Sequence, residues 1–247
     1  MAMDQAMLEY AAATQQVILR VYQWSRPTIS LGYFQAFEGL AEFPELLSLD
    51  CVRRMTGGGA ILHDRELTYS IAVPSEIHRK GHSEELYRAV HRSIIEWLRG
   101  LRFTANLCEE TNREPAGSYS NEDSFLCFER RSEVDIVVDG RKIVGSAQRR
   151  SSDGLLQHGS FLVESSPWLP RLQGLRLQTP NKLGKLVESG VTASRLGDVL
   201  VVALASAFDL QWSNGSADKE TCERAETIAQ ERFSSVEWTQ FRNRRSG

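Results

Sequence analysis

Asp139-Gly140 is the dipeptide that most restricts what this chain can fold into. It lies between two short apolar runs, Val134 to Val138 and Arg141 to Ala147, that read as strands. Asp-Gly in that position is the signature of a two-residue type I′ turn, whose central residues both need positive φ. So short a turn can join only antiparallel neighbours. A wholly parallel, doubly wound sheet is thereby excluded.

The remaining patterns fit the same class. Leu67, Tyr69, Ile71 and Val73 alternate with the period of a half-buried strand. Val17 to Trp24 reads as a strand broken at Arg26-Pro27, and Leu155 to Val163 as another. Ser83 to Leu101 carries an apolar stripe at helical spacing, with Ser83 as its N-cap and Glu84 and Glu85 at its positive end. Met3 to Thr14 is helical in composition, and helical patterns return from Ser194 onward. The expected fold class is α+β (α/β): a single domain over residues 1–247, with a mixed, mostly antiparallel sheet flanked by helices. Asn112 to Asp123, rich in Ser, Asn, Gly and charge, reads as a mobile surface loop.

Bulk properties narrow the function. A formal net charge of −3 does not suit a general nucleic-acid or membrane-surface binder, and no apolar run approaches a membrane span. Cysteines 51, 108, 127 and 222 form no CxxC pair and have no metal-like histidine close by. Free thiols in a reducing, cytoplasmic compartment are expected, with no bound metal.

Three segments carry chemistry. RRMTGGGAILHD, from Arg53 to Asp64, places Gly57, Gly58 and Gly59 behind two arginines. Without Cβ atoms, those amides can approach a ligand closely, and Arg53 and Arg54 add charge for a polar or anionic head group. A glycine turn with solvated arginines is the plain alternative, and the pattern matches neither standard nucleotide loop. DGRKIVGSAQRR, from Asp139 to Arg150, alternates so that Lys142, Val144 and Ser146 face one way and Arg141, Ile143, Gly145 and Ala147 the other. Gly145, Ser146 and Ala147 are small residues within a strand, which marks close approach by a ligand or another backbone. LQHGSFLV puts His158 and Gly159 in an otherwise apolar run.

In that order and spacing, the three segments resemble the lipoate-protein ligase and octanoyltransferase family, relatives of the biotin-protein ligase catalytic domain. The resemblance extends to the opening MAMDQAMLEYA, to RPTISLGYFQ and to the closing ETCERAETIAQERFSSVEW. It implies one domain around a mixed sheet, with a tunnel for a medium-length acyl chain lined by the Arg-Gly loop, including Arg53, the three glycines and His63, by Gly145 to Ala147, and by His158-Gly159. Within the family, ligases activate free lipoate with ATP and Mg, whereas one transferase branch carries octanoyl as a thioester on an enzyme cysteine. Cys127 in FLCFERRSEVDIVV resembles the nucleophile loop of that branch, and ESSPWLPRLQ, after the HGS strand, lacks the cysteine of the other transferase type.

The implied activity is octanoyl transfer from octanoyl-acyl carrier protein to a lysine of a lipoyl domain or the glycine cleavage H protein. Cys127 would be the nucleophile, Lys142 the group stabilising thiolate and carbonyl oxygen, and His158 an orienting residue near the acyl carbonyl. Arg130 and Arg131 would add positive charge from the cysteine loop. No cofactor is required on this route. An ATP-dependent ligase and an amidotransferase between carrier proteins are the alternatives. Arg141, Lys142, Arg149 and Arg150 offer a positive rim for acidic carriers.

Overall fold

The two-residue turn forms as expected: Asp139 and Gly140 both have positive φ, 52° and 74°. They join β7 (Ile136–Val138) to β8 (Arg141–Arg150), and β8 turns back into β9 (Gly154–Leu162). In this computed structural model, residues 1–78, 82–111, 125–127, 132–168 and 183–242 are described. The other strands are β1 (Ile18–Tyr22), β2 (Thr28–Leu31), β3 (Asp50–Arg53), β4 (Ile61–His63), β5 (Glu66–Pro74) and β6 (Ala105–Leu107). Helices α1 (Ala2–Thr14), α2 (His82–Gly100), α3 (Leu183–Glu188), α4 (Ala193–Phe208), α5 (Lys219–Ile228) and α6 (Val236–Phe241) surround them.

Six strands form one antiparallel sheet in the order β1-β5-β9-β8-β7-β6. A second sheet, β3-β2-β4, holds the parallel pair β2–β3 that makes the fold mixed. It is built from RPTISLG and from the flanks of the glycine stretch, segments too short to show a period of their own.

The large sheet is covered on both sides. Leu67, Tyr69, Ile71 and Val73 face α2 and α4, packing on Leu86, Val90, Ile94, Leu98, Leu196, Leu200 and Leu204. Ala72 and Leu156 face the other way, onto Ala6, Met7 and Ala11 of α1 and onto Ile228, Phe233 and Trp238 near the C-terminus. Consequently β5 is buried at all nine positions rather than half-buried. Its second face is small and weakly polar (Thr68, Ser70, Ala72), so hydrophobic alternation could not reveal that it too is covered.

Helix α2 begins at His82, so Ser83 lies in the first turn and is not the cap. Its hydroxyl instead meets His78 Nε2 at 3.2 Å and accepts from Arg150 Nε at 2.8 Å, tying the helix start to β8. Among the described residues no helix is long and apolar enough to cross a membrane. The segment expected to be a mobile loop, Asn112 to Asp123, lies outside the described residues.

Candidate active site

Two buried arginines organise the glycine stretch. Arg54 Nη2 donates to the carbonyls of Gly57 (2.8 Å) and Gly59 (2.6 Å), and Nη1 to Ser30 O and Oγ. The loop thus folds around the guanidinium, and Gly58 takes φ 92°, a conformation that side chains rarely adopt. The amides of Gly57, Gly58 and Gly59 donate to no other group among the described residues. Arg53 does something different from what the sequence suggested. Its guanidinium is fully buried and donates to the carbonyls of Gly32, Tyr33, Gln35, Trp238 and Thr239. It is a clasp between β3 and α6, its donors taken by backbone rather than by a head group.

Immediately after Gly59, the chain pairs with the cysteine loop. Ala60 N donates to Phe125 O at 2.8 Å and Cys127 N to Ala60 O at 2.7 Å, a short parallel bridge. Gln35 Nε2 also bonds Phe125 O, and Leu126 is buried with Ile29, Leu31 and Leu62. These contacts fix the position of Cys127. Phe128, Glu129, Arg130 and Arg131 lie outside the described residues, so the charges suggested for that loop are not placed.

Cys127 Sγ lies 3.7 Å from Lys142 Nζ, which also donates to Cys127 O at 3.1 Å and pairs with Asp135 Oδ2 at 2.8 Å. Lys142 and Asp135 are both buried. Burial alone would pull the Lys142 ammonium down, but Cys127 and Asp135 outweigh it and push the pKa up from 10.5. Lys142 therefore stays charged at neutral pH. Asp135 gets its orientation from Ser132 N, which donates to Oδ2 at 2.7 Å.

Strict alternation would have placed Lys142 on the side of Val144 and Ser146. A β-bulge intervenes: Ile136 pairs with Val144 but Val137 with Lys142, leaving Ile143 over. The lysine tip consequently lies above Gly145, where a Cβ would come within 2.6 Å of Cε. That face continues through Ala147, cross-strand from His158, which is cross-strand from Ser70. Gly145 is likewise opposite Ser160. Among the described residues, Ser70 Oγ, Ser160 Oγ and His158 Nδ1 are buried without a hydrogen-bond partner. His158 Nε2 is 3.4 Å from Asp4 Oδ2, within ionic range but off hydrogen-bond geometry. Burial would raise the Asp4 carboxyl, yet the Met1 ammonium, His158 and Arg20 hold it well below 3.8. The Ser70, Ser160 and His158 side chains lie along the face of β8, β9 and β5 that continues from the thiol–amine pair.

His63, Ser146 and Gly159 are differently engaged. His63 stacks on Trp24, with Nδ1 at 2.6 Å from Glu66 Oε1 and Nε2 at 2.7 Å from Ser30 Oγ, joining the two sheets. Both ring nitrogens are taken by protein. The Ser146 side chain lies on the α2 face, against Tyr69 Oη and His91 Nε2, and its amide donates to Tyr87 Oη. Gly159 makes room for the Tyr69 ring: a Cβ there would lie 2.0 Å from Cε1. Sequence reasoning missed Asp135, Asp4 and His91. Only Asp135 left a signal, as a carboxylate just ahead of the lysine hairpin. Among the described residues no group of three or more His, Cys, Asp or Glu side chains is arranged to hold a metal.

A charged lysine against a thiol, set on an antiparallel sheet, is the equipment of an acyl-transfer enzyme, carried here on the biotin/lipoate-protein ligase catalytic fold. The lipoyl protein ligase A/B catalytic domain family matches residues 1–192, and the chain belongs to that family. It is 33% identical to the octanoyltransferase LipM of Kyrpidia tusciae, over 92% of this chain and 89% of that protein. It is 31% identical to the octanoyltransferase LipM of Carboxydothermus hydrogenoformans, over 96% of this chain and 92% of that protein. A bipartite lipoate protein ligase from Thermoplasma acidophilum superposes with a TM-score of 0.69 at 21% identity, covering 99% of this chain and 92% of that one, a likeness of fold.

Proposed function

We propose that this acyltransferase takes octanoyl from octanoyl-acyl carrier protein, holds it as a thioester on Cys127 and passes it to a lysine of a lipoyl domain or the glycine cleavage H protein. The observation that carries the reading is the 3.7 Å separation of Cys127 Sγ and Lys142 Nζ, with Asp135 behind the amine. The thiolate is the form of a cysteine that attacks an acyl carbonyl, and the Lys142 ammonium is placed to meet negative charge on the sulfur.

In the first step the Cys127 thiolate attacks the donor's thioester carbonyl. A C–S bond to Cys127 forms, the carrier's C–S bond breaks, and the carrier thiolate leaves, taking up a proton equivalent to the one Cys127 released. The charge that builds on the carbonyl oxygen is met by the Lys142 ammonium. In the second step the acceptor amine attacks the acyl-enzyme, an amide forms, Cys127 leaves as thiolate and the amine nitrogen loses a proton. Exchange between thioesters is nearly isoenergetic, and formation of the amide draws the sequence forward, so this route uses no ATP and no metal. The face of β8 that carries Gly145 and Ala147, next to the thiol–amine pair, is the side on which this reading places the acyl group.

The test is intact-mass spectrometry after mixing with octanoyl-acyl carrier protein. A hydroxylamine-sensitive octanoyl adduct, absent from Cys127→Ser, is expected without ATP. Turnover that needs ATP and Mg and survives Cys127→Ser overturns the reading in favour of a ligase. Activity only with octanoyl-H protein as donor makes the enzyme an amidotransferase.

A further inference from the structure

On the helix side of the same strands, a single hydrogen-bond chain runs through the core and ends beside Asp135. His91 Nδ1 lies 2.6 Å from the Val134 carbonyl, which can only accept, so Nδ1 carries the proton. His91 Nε2, 2.7 Å from Ser146 Oγ, then accepts from that hydroxyl. With its proton so directed, Ser146 Oγ accepts from Tyr69 Oη at 2.5 Å. Tyr69 Oη in turn accepts from Gln157 Nε2 at 3.2 Å, and Gln157 Oε1 from Gln148 Nε2 at 2.7 Å. Every donor points the same way, the arrangement in which successive bonds polarise one another.

We infer that His91 is a positioning residue for the acyl transfer, pinning β8, which carries the lysine, to the segment just before β7 that carries its carboxylate. One nitrogen holds Val134, next to Asp135; the other holds Ser146, next to Gly145, over which the Lys142 tip rests. The bulge at Ile143 lies between these two anchor points, where the strands lack regular ladder bonds to hold their spacing. Tyr87, its ring centred 4.5 Å from that of His91 and tilted at 49° to it, binds the backbone of Ser146 with its hydroxyl and reinforces the second anchor. Burial, with Lys142 nearby, holds the imidazole down at about 4, so it is neutral and keeps the acceptor that this chain requires. His91 reaches neither thiol nor amine; it acts through their supports.

This inference rests on the proposed thioester route, and its test separates the two. In His91→Phe, the rate of Cys127 alkylation by iodoacetamide is followed against pH by peptide mapping, alongside kcat and KM for octanoyl transfer. The alkylation midpoint should move, and kcat should fall by about a hundredfold with KM for the carrier unchanged, since an ångström of misplacement has that order of effect. His91→Asn, which retains a donor for Val134 O, should recover part of the loss. Should His91→Phe not fold, Ser146→Ala breaks the same chain one link away and should shift the profile in the same sense. Alkylation profiles in these variants that overlay the wild type, with kcat intact, overturn the inference. Alkylation needs no acyl donor, so a wild type that forms no octanoyl adduct defeats the thioester route while leaving this readout available.

Discussion

The tip of Lys142 fills the volume that a Cβ on Gly145 would need, 2.6 Å from Cε and 3.0 Å from Nζ. A glycine inside a strand is there to admit the protein's own reactive side chain. In Gly145→Ala the lysine, as a flexible end, should yield and leave the fold intact, while its amine moves off the sulfur. Octanoylation of Cys127 should slow by about a hundredfold with little change in melting temperature. A mass-spectrometric time course on folded protein decides this; an unchanged rate would show that the lysine has room to spare.

Gly159 offers the contrast. A Cβ there would lie 2.0 to 2.5 Å from Cε1, Cζ and Oη of Tyr69, whose ring is buried and whose hydroxyl is held by Ser146 and Gln157. The ring cannot swing away, so Gly159→Ala should cost about 3 kcal/mol, the upper range for overpacking. Urea unfolding checks it.

Arg53→Met should be among the most destabilising single changes in the small sheet. It leaves the carbonyls of Gly32, Gln35 and Thr239 without their donor and removes the guanidinium between β3 and α6, a loss of about 3 kcal/mol. Arg53→Lys should not restore stability, because an ammonium cannot span the fork. Denaturant midpoints of the two variants are the measurement.

Acid should weaken the fold through His91. An unfolded histidine takes up a proton near 6.5, whereas His91 in the folded protein resists until about 4. Protonation therefore favours the unfolded chain, and stability falls as pH drops through that interval, by about 3 kcal/mol at most. Comparing urea unfolding of wild type and His91→Asn at pH 7 and pH 4.5 isolates the contribution, which should be reduced in the variant.

The hairpin at Asp139-Gly140, the strand containing Tyr69 and the long helix α2 were legible because each carries a local signal: a turn dipeptide or a clean period. Cys127 and Lys142 were legible only through resemblance, since neither spacing nor alternation brings them together. Alternation in fact misplaces Lys142, because one extra residue at Ile143 reverses the facing and no sequence rule marks that bulge. Pattern alone did not reveal the small sheet, because β2, β3 and β4 are three or four residues each and pack on Leu40 and Leu46 of the β2–β3 connection and on Leu126, far along the chain. Arg53 and His63 looked like ligand-binding groups because exposure is not written in residue type. The folded chain spends Arg53 on backbone carbonyls and His63 on Ser30 and Glu66.

The backbone bridge between Ala60 and Leu126 has a practical corollary for protein engineers. Since the peptide groups that seat the sulfur belong to the segment emerging from the three glycines, grafting a lone cysteine onto a related ligase scaffold would leave it without its mounting. A transplant would have to carry both stretches together, as one cassette.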